Sequence, residues 1–204
     1  MTQAHVFSIG HSNHSIDKFL RLLENSKINM VVDVRSAPFS RMFPQFNQEA
    51  LKKSLSDKSI GYLFLGDQIG GRSNNPDDYL DGQVLYKSLA NKEAFKSGIE
   101  RLKEGSVKYR IALMCSEKEP LDCHRTLLIS EVLTSNDIVV GHIHADGTVE
   151  SHSESLVRLL ALHNLSSPDL FSDDTDRVQE ALTLQEKKIA YQIPRPNESR
   201  EEIE

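Results

Sequence analysis

Long apolar runs are missing from this sequence: no stretch of eighteen apolar residues occurs, so no membrane-spanning helix is expected. Cysteine is scarce. Two in 204 residues are too few for a disulfide framework and fit a reducing compartment. The opening MTQAHVFSIGHSNHS lacks a basic start followed by an apolar stretch and a small-residue cleavage site, so no signal peptide is expected and a cytoplasmic location is. There is no Walker loop, no G-x-G-x-x-G and no C-x-x-C pair, which removes the common phosphate-loop, dinucleotide and zinc-finger fingerprints. Positive charge is not in excess either. The net charge is -6, with ten acidic and five basic residues in Ser166–Glu204, so the first 165 residues are nearly neutral. That argues against broad coating of nucleic acid but leaves room for a local basic pocket.

The remaining pattern is an alternation of strands and helices. His5–Ile9, Met30–Val34, Tyr62–Leu65, Arg110–Met114 and Ile138–Ile143 read as strands. Met30–Val34 is apolar almost throughout, as a strand covered on both faces is. Helices are predicted after Ser15, over Asn47–Leu55, as two short segments across Val84–Lys103, from about Asp122 to Leu133, and over His152–His163. Gly66–Asp81 reads as irregular. This order predicts an α/β fold of three layers: a mostly parallel sheet of about five strands with helices on both faces. The domain is expected to occupy residues 1–165. Residues 166–204 read as an acidic extension with one helix over Val178–Tyr191 and a disordered tail, PRPNESREEIE.

Ligands of open parallel sheets bind beyond the carboxyl ends of the strands, and the unusual polar residues collect there. His11, Ser12 and Asn13 follow the first strand; Asp33 and Arg35 end the second; Gly70, Gly71 and Arg72 follow the third; Cys115 and Glu117, then Cys123, His124 and Arg125, follow the fourth. Asp33 interrupts an apolar strand, where a carboxylate needs a partner. It reads either as a buried ion pair with Arg35 or as a general base beside an anion clamp. Cys115–Arg125 is the densest group: a thiol next to imidazole and guanidinium at a helix start suits a reactive thiolate, yet Cys115 also reads as a small core residue. Metal binding by Cys115, Cys123 and His124, with His142 or His144 as fourth ligand, is a further reading without a standard spacing. Phe39, Phe43 and Phe46 form an aromatic loop that reads as a lid over the core or as a base-stacking surface.

Five stretches resemble the bacterial and archaeal family catalogued as domain of unknown function 488. They are SIGHSNHSIDKFLRLL, VVDVRSAPFSRMFPQFNQEAL, IGYLFLGDQIGGR, ALMCSEKEPLDCHRTLLISEVL and VVGHIHADGTVESH, in family order over most of residues 5–152, and EKKIAYQ resembles an extension of some members. The resemblance implies a compact α/β fold and a pocket at His11, Ser12, Asp33, Arg35, Gly71, Arg72, Cys115, Glu117, Cys123, His124 and Arg125. It implies no reaction.

Taken together, the expected function is an enzyme, a hydrolase or transferase, acting on a phosphate-bearing small molecule, a nucleotide or a nucleic-acid end. Cys115 would be nucleophile, Asp33 or Glu117 general base, and His124 acid or orienter. His11, Ser12, Arg35, Gly71, Arg72 and Arg125 would bind the ligand. No residue is assigned to a metal, and no cofactor or oligomeric state is inferred. The competing readings are a non-catalytic nucleotide or nucleic-acid binding module, and a Cys/His metal-binding or redox-sensing protein.

Overall fold

The computed structural model describes residues 6–167 and 173–194. His5 and the expected tail beyond Pro194 lie outside them. Five short strands are parallel: β1 (Val6–Gly10), β2 (Met30–Asp33), β3 (Gly61–Phe64), β6 (Ile111–Cys115) and β7 (Val140–Ile143). A sixth, β8 (Val149–Ser151), pairs antiparallel with β7, giving the order β3-β2-β6-β1-β7-β8. The sheet therefore exceeds the sequence expectation by one antiparallel edge strand, in a segment too short and exposed to show a period-two pattern.

Alternation along each strand divides the core in two. Phe7 and Ile9, Val31, and Ala112 and Met114 face α1 (Ile16–Asn25) and α2 (Gln48–Ser56). Val6, Val32, and Ile111, Leu113 and Cys115 face the other layer. That layer holds α4 (Tyr86–Ala90), α5 (Glu93–Lys108), α6 (Glu131–Thr134), α7 (His152–Leu162) and α8 (Asp174–Ile189). Burial of these aliphatic side chains, at about 1.5–3 kcal/mol each, is what assembles the three layers.

Local chemistry sets the helix starts. Ser15 caps α1 by accepting from Lys18 N at 3.3 Å, leaving Phe19, Leu20, Leu22 and Leu23 on one buried face. Ser151 and Glu154 form a capping box on α7. Asp173 caps α8, which packs on the same core through Ala181 and Leu182.

Two segments differ from the sequence expectation. Gly66–Asp81 is not irregular throughout, since it contains α3 (Gly66–Ile69) and β4 (Tyr79–Leu80), which pairs with β5 (Gln83–Val84). The helix expected from Asp122 to Leu133 is a 3-10 turn at Pro120–Asp122, then widened π turns over Arg125–Ser130, then α6. Ser130 Oγ donates to Arg125 O at 2.7 Å and occupies a carbonyl that the widened turns leave without its usual partner.

The chain leaving β1 turns toward α1, and the chain leaving β6 turns toward the opposite layer. Between these diverging exits, His11 N bonds Cys115 O and Ser12 N bonds Ser116 O, each at 2.9 Å. The crevice where ligands of such sheets bind is therefore at Gly10–Ser12 and Cys115–Glu117.

Candidate functional site

Period-two alternation also divides the polar residues. Asp33 shares the face of Val31, and Cys115 shares the face of Leu113. Two groups result, one on each side of the sheet edge, with Arg35 between them.

The first group is a closed ion pair. Asp33 is fully buried and Arg35 is 4% exposed. Asp33 Oδ1 accepts from Arg35 Nε at 2.9 Å, and Oδ2 accepts from Arg35 Nη2 at 2.7 Å and from the Tyr62 hydroxyl at 2.9 Å. Arg35 also donates to Phe46 O at 2.8 Å and reaches His11 Nε2 at 3.2 Å. His11 Nδ1 lies 2.8 Å from Ser12 O, so Nδ1 carries the proton and Nε2 accepts from Arg35. Burial, with the Arg35 cation assisting, holds the His11 pKa down to about 4, against the raising effect of Ser12 O. His11 stacks on Phe46 with ring centroids 4.3 Å apart. Asp33 is thus occupied by Arg35 and Tyr62, in an arrangement that stabilises the strand exit.

The second group is a cluster of two thiols, one imidazole and one carboxylate. Cys115 and Cys123 are free and buried. Their Sγ atoms lie 2.8 and 3.1 Å from Glu117 Oε2, and 3.7 and 3.6 Å from His124 Nδ1. His124 Nε2 lies 3.1 Å from Val34 O. A carbonyl only accepts, so Nε2 carries the proton of the neutral ring and Nδ1 presents its lone pair to the sulfurs. Glu117 is exposed along its length, with its carboxyl end turned into the cluster.

Electrostatics separate the two thiols. Hydrogen bonding to Cys123 and burial push the Cys115 thiol well up. Burial also opposes ionisation of Cys123, but the Cys115 hydrogen bond, the Arg125 cation and His124 outweigh it and bring that thiol well down. The two thiols titrate as a pair, and the first proton to leave is lost more readily than the second. Burial raises the Glu117 pKa, and Cys123 adds to it. Burial lowers His124, but Cys123, Glu117 and Val34 O together leave it raised.

Two close approaches fix this geometry. A Cβ on Gly10 would stand 1.8 Å from Glu117 O, and one on Gly71 would stand 2.8 Å from His124 Cγ. Only glycine lets the Glu117 loop cross β1 and the Gly71 backbone lie on the imidazole. Arg125, fully buried, donates to Glu117 O at 2.8 Å, Lys118 O at 3.3 Å and Ser8 Oγ at 3.3 Å. It anchors the loop and is not among the residues lining the cavity.

The cluster forms the floor of a cavity of about 180 Å³. Arg35, Gly71 and Arg72 line one side, and Tyr86, Ile189 and Tyr191 another. Arg72 is held by its N–H to Ser36 Oγ at 3.1 Å and by its guanidinium 4.2 Å over the Tyr191 ring. His11 and Ser12 instead line a neighbouring open groove with Phe39 and Phe43, and only the Ser116–Glu117 edge is common to both. Of the aromatic loop, Phe46 is core, Phe43 packs on it, and Phe39 is 66% exposed.

Sequence reasoning places His142 or His144 as a fourth metal ligand. Among the described residues the donor grouping contains Cys115, Cys123 and His124 only, all within 4.8 Å. His142 bonds Ser8 and His152, and His144 bonds Glu150. The reading passed over Ser8, Tyr191 and Ile189. Ser8 carried the same signal as Asp33, a single polar residue in an apolar strand; the other two lie in EKKIAYQ, which reads only as part of a C-terminal extension.

The family described as Domain of unknown function DUF488 matches residues 15–132. The chain belongs to the DUF488 family. The match covers more than half of the chain and includes Asp33, Arg35, Gly71, Arg72 and Cys115–Arg125, whereas the Ile189–Tyr191 wall lies outside it. No curated protein and no solved structure matches. No helix among the described residues of this DUF488 protein is long and apolar enough to cross a membrane.

Proposed function

We propose that this DUF488 protein is an enzyme, a hydrolase or transferase, acting on a small phosphate-bearing molecule or on the phosphorylated end of a larger one. The observation that carries this reading is the meeting of Arg35 and Arg72 with the Cys115–Glu117–Cys123–His124 cluster in one cavity. Arginine suits a phosphate because its planar fork offers paired donors. Arg72 is exposed and presented by an aromatic face, so it meets the anion first. Arg35, with most of its donors spent on Asp33, Phe46 and His11, contributes field more than new bonds.

Size limits the ligand. At about 180 Å³ the cavity falls below the roughly 300–1,000 Å³ of sites that enclose drug-sized ligands. It admits a phosphoryl group and little more, which favours a small metabolite or a nucleotide entering by its phosphate end. In this reading Glu117 and His124 handle protons beside the thiols, and Asp33 acts by holding Arg35.

A turnover screen of phosphate monoesters and diesters tests the proposal. The expected result is hydrolysis or transfer with at least one member, a raised KM in Arg72→Ala, and loss of kcat in Cys123→Ser and His124→Ala. Activity unaffected by all three variants overturns it.

A further inference from the structure

Two thiols and one imidazole nitrogen lie together at the cavity floor, with the Glu117 carboxylate beside the thiols. Arg125, the guanidinium behind them, is committed to the carbonyls of Glu117 and Lys118. Groups that shed protons to bind, gathered within reach of one ion, are the donor set of a metal centre. The geometry points to a transition-metal site in which Cys115 Sγ, Cys123 Sγ and His124 Nδ1 bind one divalent ion of the zinc type. Glu117 lies beside the two sulfurs, outside this donor set.

The distances carry this further than composition does. With metal–sulfur and metal–nitrogen bonds of about 2.3 and 2.05 Å, a tetrahedral ion separates sulfur from nitrogen by about 3.6 Å. The two observed separations are 3.7 and 3.6 Å. The three donor atoms lie within 4.8 Å of one another, close enough for one ion. Glu117 Oε2, at 2.8 and 3.1 Å from the sulfurs, is nearer than a tetrahedral ligand stands, at about 3.6 Å. It is therefore placed as a hydrogen-bond acceptor for the thiols, on an exposed arm able to draw back beside a bound ion.

The surroundings fit as well. A metal-bound histidine donates its other N–H to a carbonyl or carboxylate, which fixes the tautomer, and Val34 O does this for His124. Gly71 leaves no space for the ring to turn. Two thiolates and an imidazole select a borderline ion such as zinc or ferrous iron over magnesium or calcium. Three protein ligands at the floor of a cavity leave a position for water or substrate, the mark of a catalytic rather than a structural site. The ion would also neutralise the thiolates, leaving Arg35 and Arg72 to attract an anion. Binding is balanced: the divalent ion takes the place of the protons that the two thiols hold, and these leave to solvent.

The inference shares its cavity with the function proposed above, and it is measured without any phosphate ligand, so either can fail alone. The full chain, purified without chelator, is analysed for metal and then titrated with Co²⁺. The expected results are about one ion per chain, and on cobalt loading a thiolate charge-transfer band with tetrahedral ligand-field bands. Cys123→Ser and His124→Ala should weaken binding at least tenfold, and His144→Ala should leave it unchanged. Where a cysteine variant fails to fold, the wild-type cobalt spectrum and the release of protons on metal binding decide alone. Absence of both metal and the thiolate–cobalt band overturns the inference, as does binding indifferent to Cys123→Ser and His124→Ala.

Discussion

His124 Nε2 lies 3.1 Å from the carbonyl oxygen of Val34, at the exit of β2, and this one bond determines what the other ring nitrogen can do. With Nε2 spent on that carbonyl, Nδ1 is the ring nitrogen that faces Cys115 and Cys123. The strand exit that carries Arg35 thus also sets the tautomer at the thiol cluster, linking the two halves of the site.

Gly71→Ala should disturb this arrangement selectively. A Cβ there meets His124 Cγ at 2.8 Å, so either the ring or the loop must move. The expected stability loss is about 1–3 kcal/mol, seen as a lower urea midpoint, with loss of activity out of proportion to it. Wild-type activity in this variant would show that His124 need not be held.

Asp33→Ala should be mainly a folding defect. Removing the carboxylate leaves Arg35, 4% exposed, and the Tyr62 hydroxyl without their acceptor. Breaking such a buried pair costs about 3–5 kcal/mol. Equilibrium denaturation measures it. A loss below about 1 kcal/mol would fit an exposed pair and contradict the burial assigned to it.

Stability should fall in acid through a buried hydrogen-bond chain. Arg125 Nε donates to Ser8 Oγ at 3.3 Å, Ser8 Oγ meets His142 Nδ1 at 2.7 Å, His142 Nε2 meets His152 Nδ1 at 3.0 Å, and His152 Nε2 meets Glu131 Oε1 at 2.7 Å. Both nitrogens of His142 are taken up in this chain, between the Ser8 hydroxyl and the His152 ring. Burial, aided by His152 and Arg125, keeps the His142 pKa well below its ordinary 6.5. Below that pH the unfolded chain binds a proton that the folded chain refuses, so stability decreases as pH falls and is flat above. His11, held at about 4, acts in the same direction between 6.5 and 4. Urea midpoints across pH should show this slope, and His142→Asn should make it shallower. A midpoint that rises with acidification would contradict it.

Arg125→Lys should loosen the Glu117 loop. An ammonium cannot span Ser8 Oγ and the carbonyls of Glu117 and Lys118 as the guanidinium fork does. Amide exchange at Ser116–Lys118 should quicken while β1 and β6 stay protected. Unchanged protection of this loop would show that Arg125 does not hold it.

Much of the fold was legible because parallel strands buried on both faces are apolar along their runs, as Met30–Val32 and Ile111–Met114 are. The polar strand ends at Asp33 and Cys115 were legible because they interrupt such runs. The rest depends on pairings distant in sequence. Ser8 and His142 are register partners on β1 and β7, which is why His142 is taken up there rather than at the cysteines. Tyr191 meets Arg72 only because Val84 N bonds Tyr191 O at 2.9 Å. The widened turns at Arg125–Ser130 read as ordinary helix because all six residues are buried, so no exposed face marks the change of period.

The most direct test of the account is calorimetric titration of the full-length protein with inorganic phosphate, in wild type and Arg72→Ala. The account predicts binding in the wild type, and affinity at least tenfold weaker in the variant, a difference of about 1.4 kcal/mol or more. Equal binding in both proteins, or none in either, would contradict an anion site at this cavity.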